Sequence, residues 1–190
     1  VRNGVEAPTR VRRRSLRDVR APRILLFLSR LHQKKGLDML LAAWAKVAPE
    51  RPEWVLHVAG PVDSDWARAL RERYEGPKAR FLGEVSGSLK WHMLAEADSL
   101  VLPSHGENFG MAVAEALAAG TPVVVSDRTP WTGIEERRCG WLIQPNEDSI
   151  RRTLQKVCAE SADEMSAAGK RGMRWMHEAF SWRSVGGEML

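Results

Sequence analysis

Short apolar segments alternate with longer amphipathic ones along the chain, and this alternation restricts the fold more than any other feature. The first segment, 24–28, has five apolar residues in succession, which is typical of a strand buried on both faces. Further strand-like segments lie at 54–58, 80–82, 100–102, 123–125 and 141–143. Strands that alternate with helices predict a parallel α/β sheet built from right-handed crossover units.

The segments between the predicted strands carry apolar residues at helical spacing. After the first strand, one helical face is formed by Leu37, Leu40, Leu41, Trp44 and Val47. Further helices are predicted near residues 63–74, 88–97, 110–119, 146–159 and 163–179. In the last helix, the predicted apolar face consists of Met165, Ala168, Met173 and Met176. We therefore expect helices to flank the sheet.

Parallel sheets bind ligands at the carboxyl ends of their strands, so the loops that follow strands are the candidate sites. The first such loop, 29–36, has neither the GxGxxG pattern of dinucleotide sites nor a GxxxxGK[ST] phosphate loop. It carries cations instead: Arg30 can bind a phosphate through two hydrogen bonds, and Lys35 adds a point charge. Because basic loop residues are also common on solvated surfaces, these two residues alone leave both interpretations open.

The loop after the fourth predicted strand leads into an unusually apolar helix. Gly106 and Gly110 permit close approach of the backbone to a ligand, and N–H groups at the helix start, near 109–111, suit a diphosphate. Glu115 lies among apolar neighbours, and a buried carboxylate needs a partner. A ribose diol would supply two hydroxyl donors; alternatively, Glu115 reaches solvent or pairs with an arginine. Glu107, eight residues earlier, is placed to accept hydrogen bonds from sugar hydroxyls.

These segments resemble the retaining glycosyltransferases of the GT-B fold, specifically glycosyltransferase family 4, group 1. Glu107 and Glu115 match the family's E-x7-E pattern within ENFGMAVAEALAAGTPVVVSD. The segment ILLFLSRLHQKKGLDMLLAAW resembles the family's GRL…KG segment, with Arg30 and Lys35 at its phosphate-binding positions. FLGEV at 81–85 resembles a loop whose backbone contacts the base, and VRNGVE resembles the linker into the C-terminal domain.

The resemblance implies a Rossmann-like C-terminal domain that binds a nucleotide sugar. The family transfers a sugar from a nucleotide diphosphate, here expected to be UDP or GDP, with retention of configuration, and usually without a bound metal; no cofactor is expected. Arg30, Lys35 and Glu107 are the implied catalytic residues. The implied donor-binding residues are Val85, Gly106, Asn108, Phe109, Gly110, Met111 and Glu115.

The expected organisation is a linker at 1–22, the donor-binding domain at 23–180 and the start of a crossover helix at 181–190. Both ends are interpreted as cuts in a longer protein. An N-terminal domain that binds a glycan or lipid-linked acceptor is thus expected to be missing, and this chain alone to be inactive.

Seven arginines between residues 10 and 23 contribute to the net charge of +5. A solvated linker and contact with an anionic membrane surface both remain open, whereas the absence of interleaved aromatic residues disfavours nucleic-acid binding.

The sequence TPW at 129–131, together with ENFG, resembles bacterial enzymes that build lipopolysaccharide or exopolysaccharide. The two cysteines, which have neither metal-ligand nor CxxC spacing, favour a cytoplasmic protein, and peripheral contact with the inner face of the membrane is left open. Thr132 lies where many members of that family carry a glutamate. Whether this position makes the contact that the glutamate makes there remains open. Trp131 fits sugar stacking and core packing equally well.

Two alternative functions remain open. One is a GT-B-like enzyme that epimerises or hydrolyses nucleotide sugars. The other is a nucleotide-binding module without catalysis. An argument against it is the presence of four residues that the family's site contains: Arg30, Lys35, Glu107 and Glu115.

Overall fold

Six strands form one parallel sheet in the computed structural model, which describes residues 21–180. Their order across the sheet is β3-β2-β1-β4-β5-β6, and all neighbouring pairs are parallel. The α/β fold predicted from the alternation is confirmed. The predicted linker up to residue 20, its arginines and the segment 181–190 lie outside the described residues. The strands are β1 (Arg23–Leu28), β2 (Trp54–Ala59), β3 (Ala79–Gly83), β4 (Ser99–Leu102), β5 (Val123–Ser126) and β6 (Gly140–Ile143).

In the described part of the chain, six α-helices connect and follow the strands, close to the predicted positions. α1 packs beside α2 and α5, whereas α4 packs beside α3 and α6. None of the helices within residues 21–180 combines the length and the apolarity needed to cross a membrane. The helices are α1 (Leu37–Val47), α2 (Asp65–Tyr74), α3 (Gly87–Glu96), α4 (Met111–Ala118), α5 (Glu147–Ala159) and α6 (Ala162–Phe180).

The central strands are largely buried, and the edge strands are less so. Every residue of β4 and β5 is buried, as is the apolar run 25–28 of β1. In the edge strand β3, Phe81 is buried while Arg80 and Leu82 are exposed, the alternation expected for a strand with one solvated face. The burial on both faces predicted from the apolar run is therefore confirmed for residues 25–28 of β1, while Ile24 is half-buried.

A side chain satisfies one backbone N–H of the edge strand β6. The backbone N–H of Leu142 donates a hydrogen bond to Glu135 Oε1 over 3.3 Å. Glu135 directly follows the short turn between β5 and β6, so the chain supplies this acceptor from the adjoining loop.

The predicted apolar face of α6 is wrong at one position. Met165, Ala168 and Met176 are buried, but Met173 is 40% exposed. Gly172 faces the core instead, since a Cβ there would lie 2.7 Å from Leu117 Cδ2 on α4. Residue 172 follows 168 by four positions, which keeps it on the same helical face, while residue 173 is turned away. The missing side chain lets α6 approach α4 closely.

Both cysteines are buried, and their chemistry follows from that. Burial raises the pKa of Cys139 to about 11 and that of Cys158 to about 12. The reactive species is the thiolate, so neither folded thiol should react readily at pH 8. We expect slow modification by Ellman's reagent in buffer and rapid modification of both thiols in denaturant. Rapid stoichiometric reaction of the folded chain would contradict this packing.

Candidate functional site

The strand order reverses at the centre of the sheet, and the reversal creates a crevice. β1 leads outward to β2, while its other neighbour, β4, leads in the opposite direction to β5. The loops after β1 and β4, 29–36 and 103–110, therefore separate at the carboxyl edge. In open α/β sheets such a reversal is where ligands bind.

These two loops are joined through their backbones. The Lys34 carbonyl accepts hydrogen bonds from the backbone N–H of His105 at 2.8 Å and from Ser104 Oγ at 3.1 Å. Gly36 has a φ of +70°, and a Cβ at this position would lie 2.3 Å from the Pro103 carbonyl oxygen. The second loop thus rests directly on the end of the first, which fixes the shape of the crevice.

The start of α4 is held in place by an aromatic cluster. Gly110, with a φ of +79°, caps the helix, and Trp131 Nε1 donates a hydrogen bond of 2.5 Å to the Phe109 carbonyl. The Trp131 ring also packs edge-on against Phe109 and Trp175 and is 2% exposed. Trp131 therefore belongs to the core, and its contribution to the crevice is to orient the backbone at the helix start.

A cavity of about 620 Å³ occupies the crevice, within the range of small-molecule sites. Eight of the ten predicted site residues line it, because both loops open onto it, while Val85 and Glu115 lie outside its lining. Its walls are formed by Arg30, Leu31, His32, Lys34, Lys35, Asp63, Ser64 and the segment from Gly106 to Met111.

Lys35 and Glu107 form an ion pair inside the cavity. Lys35 Nζ lies 2.6 Å from Glu107 Oε1, and the two side chains are 18% and 10% exposed. Arg30 and Lys34 are exposed on the same cavity wall. The cavity therefore holds two solvent-facing cations and one cation that is already bound to a carboxylate.

Glu115 projects from α4 towards α3, where it finds its partner. Its Oε1 lies 2.6 Å from Lys90 Nζ, with side-chain exposures of 13% for Glu115 and 26% for Lys90. Among residues 21–180, the partner of Glu115 is thus a lysine and not the arginine considered from the sequence. Glu115 Oε2 makes no hydrogen bond to residues 21–180, which leaves it able to accept one from a ligand.

Val85 lies two residues before α3 and is half-buried against the core.

Sequence reasoning missed several of these residues. Asp63 and Ser64 lie in the loop after β2, which is a candidate site because ligands bind after parallel strands, but the sequence singles out neither side chain. Ser64 also caps α2 by accepting a hydrogen bond from the Ala67 N–H at 3.2 Å. Lys90 carries no such signal, because its role depends on how α3 lies beside α4. Across residues 21–180, no group of three or more His, Cys, Asp or Glu side chains is arranged to hold a metal ion.

Comparison with known proteins places these features in a family context. The family described as glycosyl transferases group 1 matches residues 10–175. An uncharacterized glycosyltransferase of Methanocaldococcus jannaschii is 31% identical over 175 residues, which cover 88% of this chain and 44% of the relative.

Two solved structures share the fold. Sucrose-phosphate synthase from Thermosynechococcus elongatus superimposes with a TM-score of 0.77 at 26% identity, over 88% of this chain and 44% of the synthase. The C-terminal domain of a glycosyl transferase group 1 protein from Francisella tularensis gives 0.78 at 20% identity, over 94% of this chain and the whole of that domain. The chain spans less than half the length of the Methanocaldococcus relative and of the synthase, and its neighbours are C-terminal domains of GT-B glycosyltransferases.

The joined loops predict a large effect of a small substitution. Gly36→Ala places a methyl group against the Pro103 carbonyl and strains a left-handed backbone, so it should destabilise the fold by about 1–3 kcal/mol. Urea denaturation measures this change. Gly76→Ala is the matched control, because a Cβ at Gly76 meets no atom within 4 Å. Equal stability of the two variants would contradict the described contact.

The Lys90–Glu115 pair predicts an asymmetric response to mutation. Lys90→Met leaves a mostly buried carboxylate without its partner and should cost about 1–3 kcal/mol of stability. Glu115→Gln should cost less, because the longer and more exposed Lys90 can turn to solvent. Combining the two should recover much of the loss from Lys90→Met. Additive effects in a double-mutant cycle, measured by urea denaturation, would show that the pair does not form in solution.

Proposed function

The chain belongs to the glycosyl transferases group 1 family, and we propose that it binds the nucleotide-sugar donor for such an enzyme. One observation carries the proposal: a single cavity at the reversal of strand order brings Arg30 and Lys35 to the N-terminus of α4. Two cations and a helix N-terminus together suit a diphosphate.

The same groups explain how the domain would assist the reaction. Transfer breaks the bond between the anomeric carbon of the sugar and the terminal phosphate oxygen, so negative charge develops on the departing diphosphate. Arg30, Lys35 and the positive end of the α4 dipole would stabilise that charge as it grows. Because contacts between the two loops already hold the backbone that carries these groups, little movement of the backbone is needed at the moment of bond cleavage.

The remaining donor contacts are assigned by position. The backbone of 108–111 would hold the diphosphate at the start of α4, with Gly106 giving close access. Glu115, fixed by Lys90, would present Oε2 to the ribose hydroxyls, and the loop that contains Val85 would meet the base. Glu107 would face the donor sugar from the cavity wall.

The activity of the whole enzyme follows from the motif resemblance. We propose retention of the anomeric configuration, with a UDP- or GDP-sugar as donor and a glycan or lipid-linked acceptor bound mainly by a further domain. The TPW and ENFG segments support a role in lipopolysaccharide or exopolysaccharide synthesis at the cytoplasmic face of the membrane. Analysis of the products formed by the full enzyme from a panel of nucleotide sugars tests this assignment and separates transfer from hydrolysis or epimerisation.

Nucleotide binding by the chain itself is the direct test. Isothermal titration with UDP, GDP and ADP should show binding of at least one of them. Lys35→Met should weaken that binding about tenfold or more, because a charge-assisted hydrogen bond to phosphate is lost.

Lys46→Met is the matched control for this substitution. It makes the same change of side chain, but Lys46 is exposed near the far end of α1, outside the cavity, and pairs with Glu147. It should leave affinity within about twofold, the small effect expected of a distant surface charge. No binding of any of the three nucleotides, or equal losses in the two variants, would overturn the proposed site.

A further inference from the structure

We propose that Glu107 competes internally with the diphosphate for Lys35, so that the ligand must displace this carboxylate to bind. The inference rests on the proposed function and adds to it a control of affinity built into the site. It starts from the short contact between Lys35 Nζ and Glu107 Oε1, both of which lie in the cavity wall.

The cations of the cavity differ in how far their charges are already committed. Within residues 21–180, Arg30 and Lys34 have no carboxylate within 4.0 Å, and both are exposed. Lys35 is the cavity cation that a carboxylate holds, and its side chain is largely buried. A diphosphate that enters this cavity therefore finds Arg30 ready and Lys35 occupied.

The two anions cannot share the site without cost. If the pair stayed closed, Glu107 would face the phosphate oxygens across a partly desolvated cavity, where like charges repel strongly. If the pair opens, its short charge-assisted hydrogen bond is lost before the phosphate forms its own. Either route lowers the affinity for a nucleoside diphosphate relative to a cavity with no carboxylate at residue 107.

Opening the pair also changes what Glu107 can do. Once Lys35 turns to the phosphate, both oxygens of Glu107 are available to the hydroxyl groups of an attached sugar. A nucleoside diphosphate without its sugar offers no such partners, so the carboxylate returns to Lys35. The exchange thus favours an intact donor over the spent diphosphate, and it promotes release of the latter.

The test is whether one substitution at residue 107 raises or lowers the affinity for a nucleoside diphosphate. Glu107→Gln should tighten binding of UDP or GDP by about threefold to tenfold, the factor expected when a partly buried ion pair no longer opposes binding. A glutamate that merely contacts the sugar would leave the affinity for a sugar-free diphosphate unchanged. Isothermal titration of both nucleotides, with thermal denaturation to verify folding, measures the effect.

Two control variants separate competition from general electrostatics. Glu75→Gln removes one negative charge from an exposed pair with Arg71, outside the cavity, and should change affinity less than twofold. Asp63→Asn removes a charge from the cavity wall where no cation lies within 4.0 Å among residues 21–180, and should give a smaller gain than Glu107→Gln. Glu107→Ser replaces Glu107→Gln if the latter does not fold.

The outcomes are distinct. Tighter binding by the residue-107 variant than by the other two supports competition. Wild-type binding with unchanged or weaker affinity in the variant, or an equal gain in Asp63→Asn, overturns the inference but leaves the proposed function standing. Absence of binding in every folded variant, with UDP and GDP alike, overturns both.

Discussion

The contact between the loops after β1 and β4 is the constraint on which the rest of the site depends. A reversal of strand order opens a crevice in any sheet of this kind, but it does not set the width of that crevice. Here two contacts set the width. The Lys34 carbonyl accepts hydrogen bonds from His105 and Ser104, and Gly36, which has no Cβ, packs directly against Pro103. Basic side chains from one loop and the helix start from the other then share a single cavity.

The sequence was sufficient for most of the architecture because the signal for each element is local. Buried central strands need continuous apolar runs, and the run at 24–28 identifies β1 without any knowledge of its neighbours. The face of α6 shows where local patterns fail. Gly172 has no apolar side chain, so the hydrophobic pattern predicts that Met173 faces the core, whereas close packing against Leu117 requires the glycine there.

The candidate site was predictable in its composition but not in its pairings. Arg30, Lys35 and Glu107 were identified from their loops, and the cavity brings these loops together. The sequence contains no record that Lys35 would bind Glu107, or that Lys90 would bind Glu115, because each pair joins elements far apart in the chain. Such pairs depend on how helices and loops pack against the sheet. The spacing of residues within one segment does not contain this information.

The hydrogen bond between Leu142 and Glu135 at the outer edge of β6 bears on how copies of this chain could associate. An outer strand with unsatisfied N–H groups is a template onto which a strand from another molecule can add. Glu135 occupies one of these positions with an exposed carboxylate, so a second chain that paired at Leu142 would first have to displace this hydrogen bond. Strand addition at this position therefore competes with a contact that the chain makes within itself.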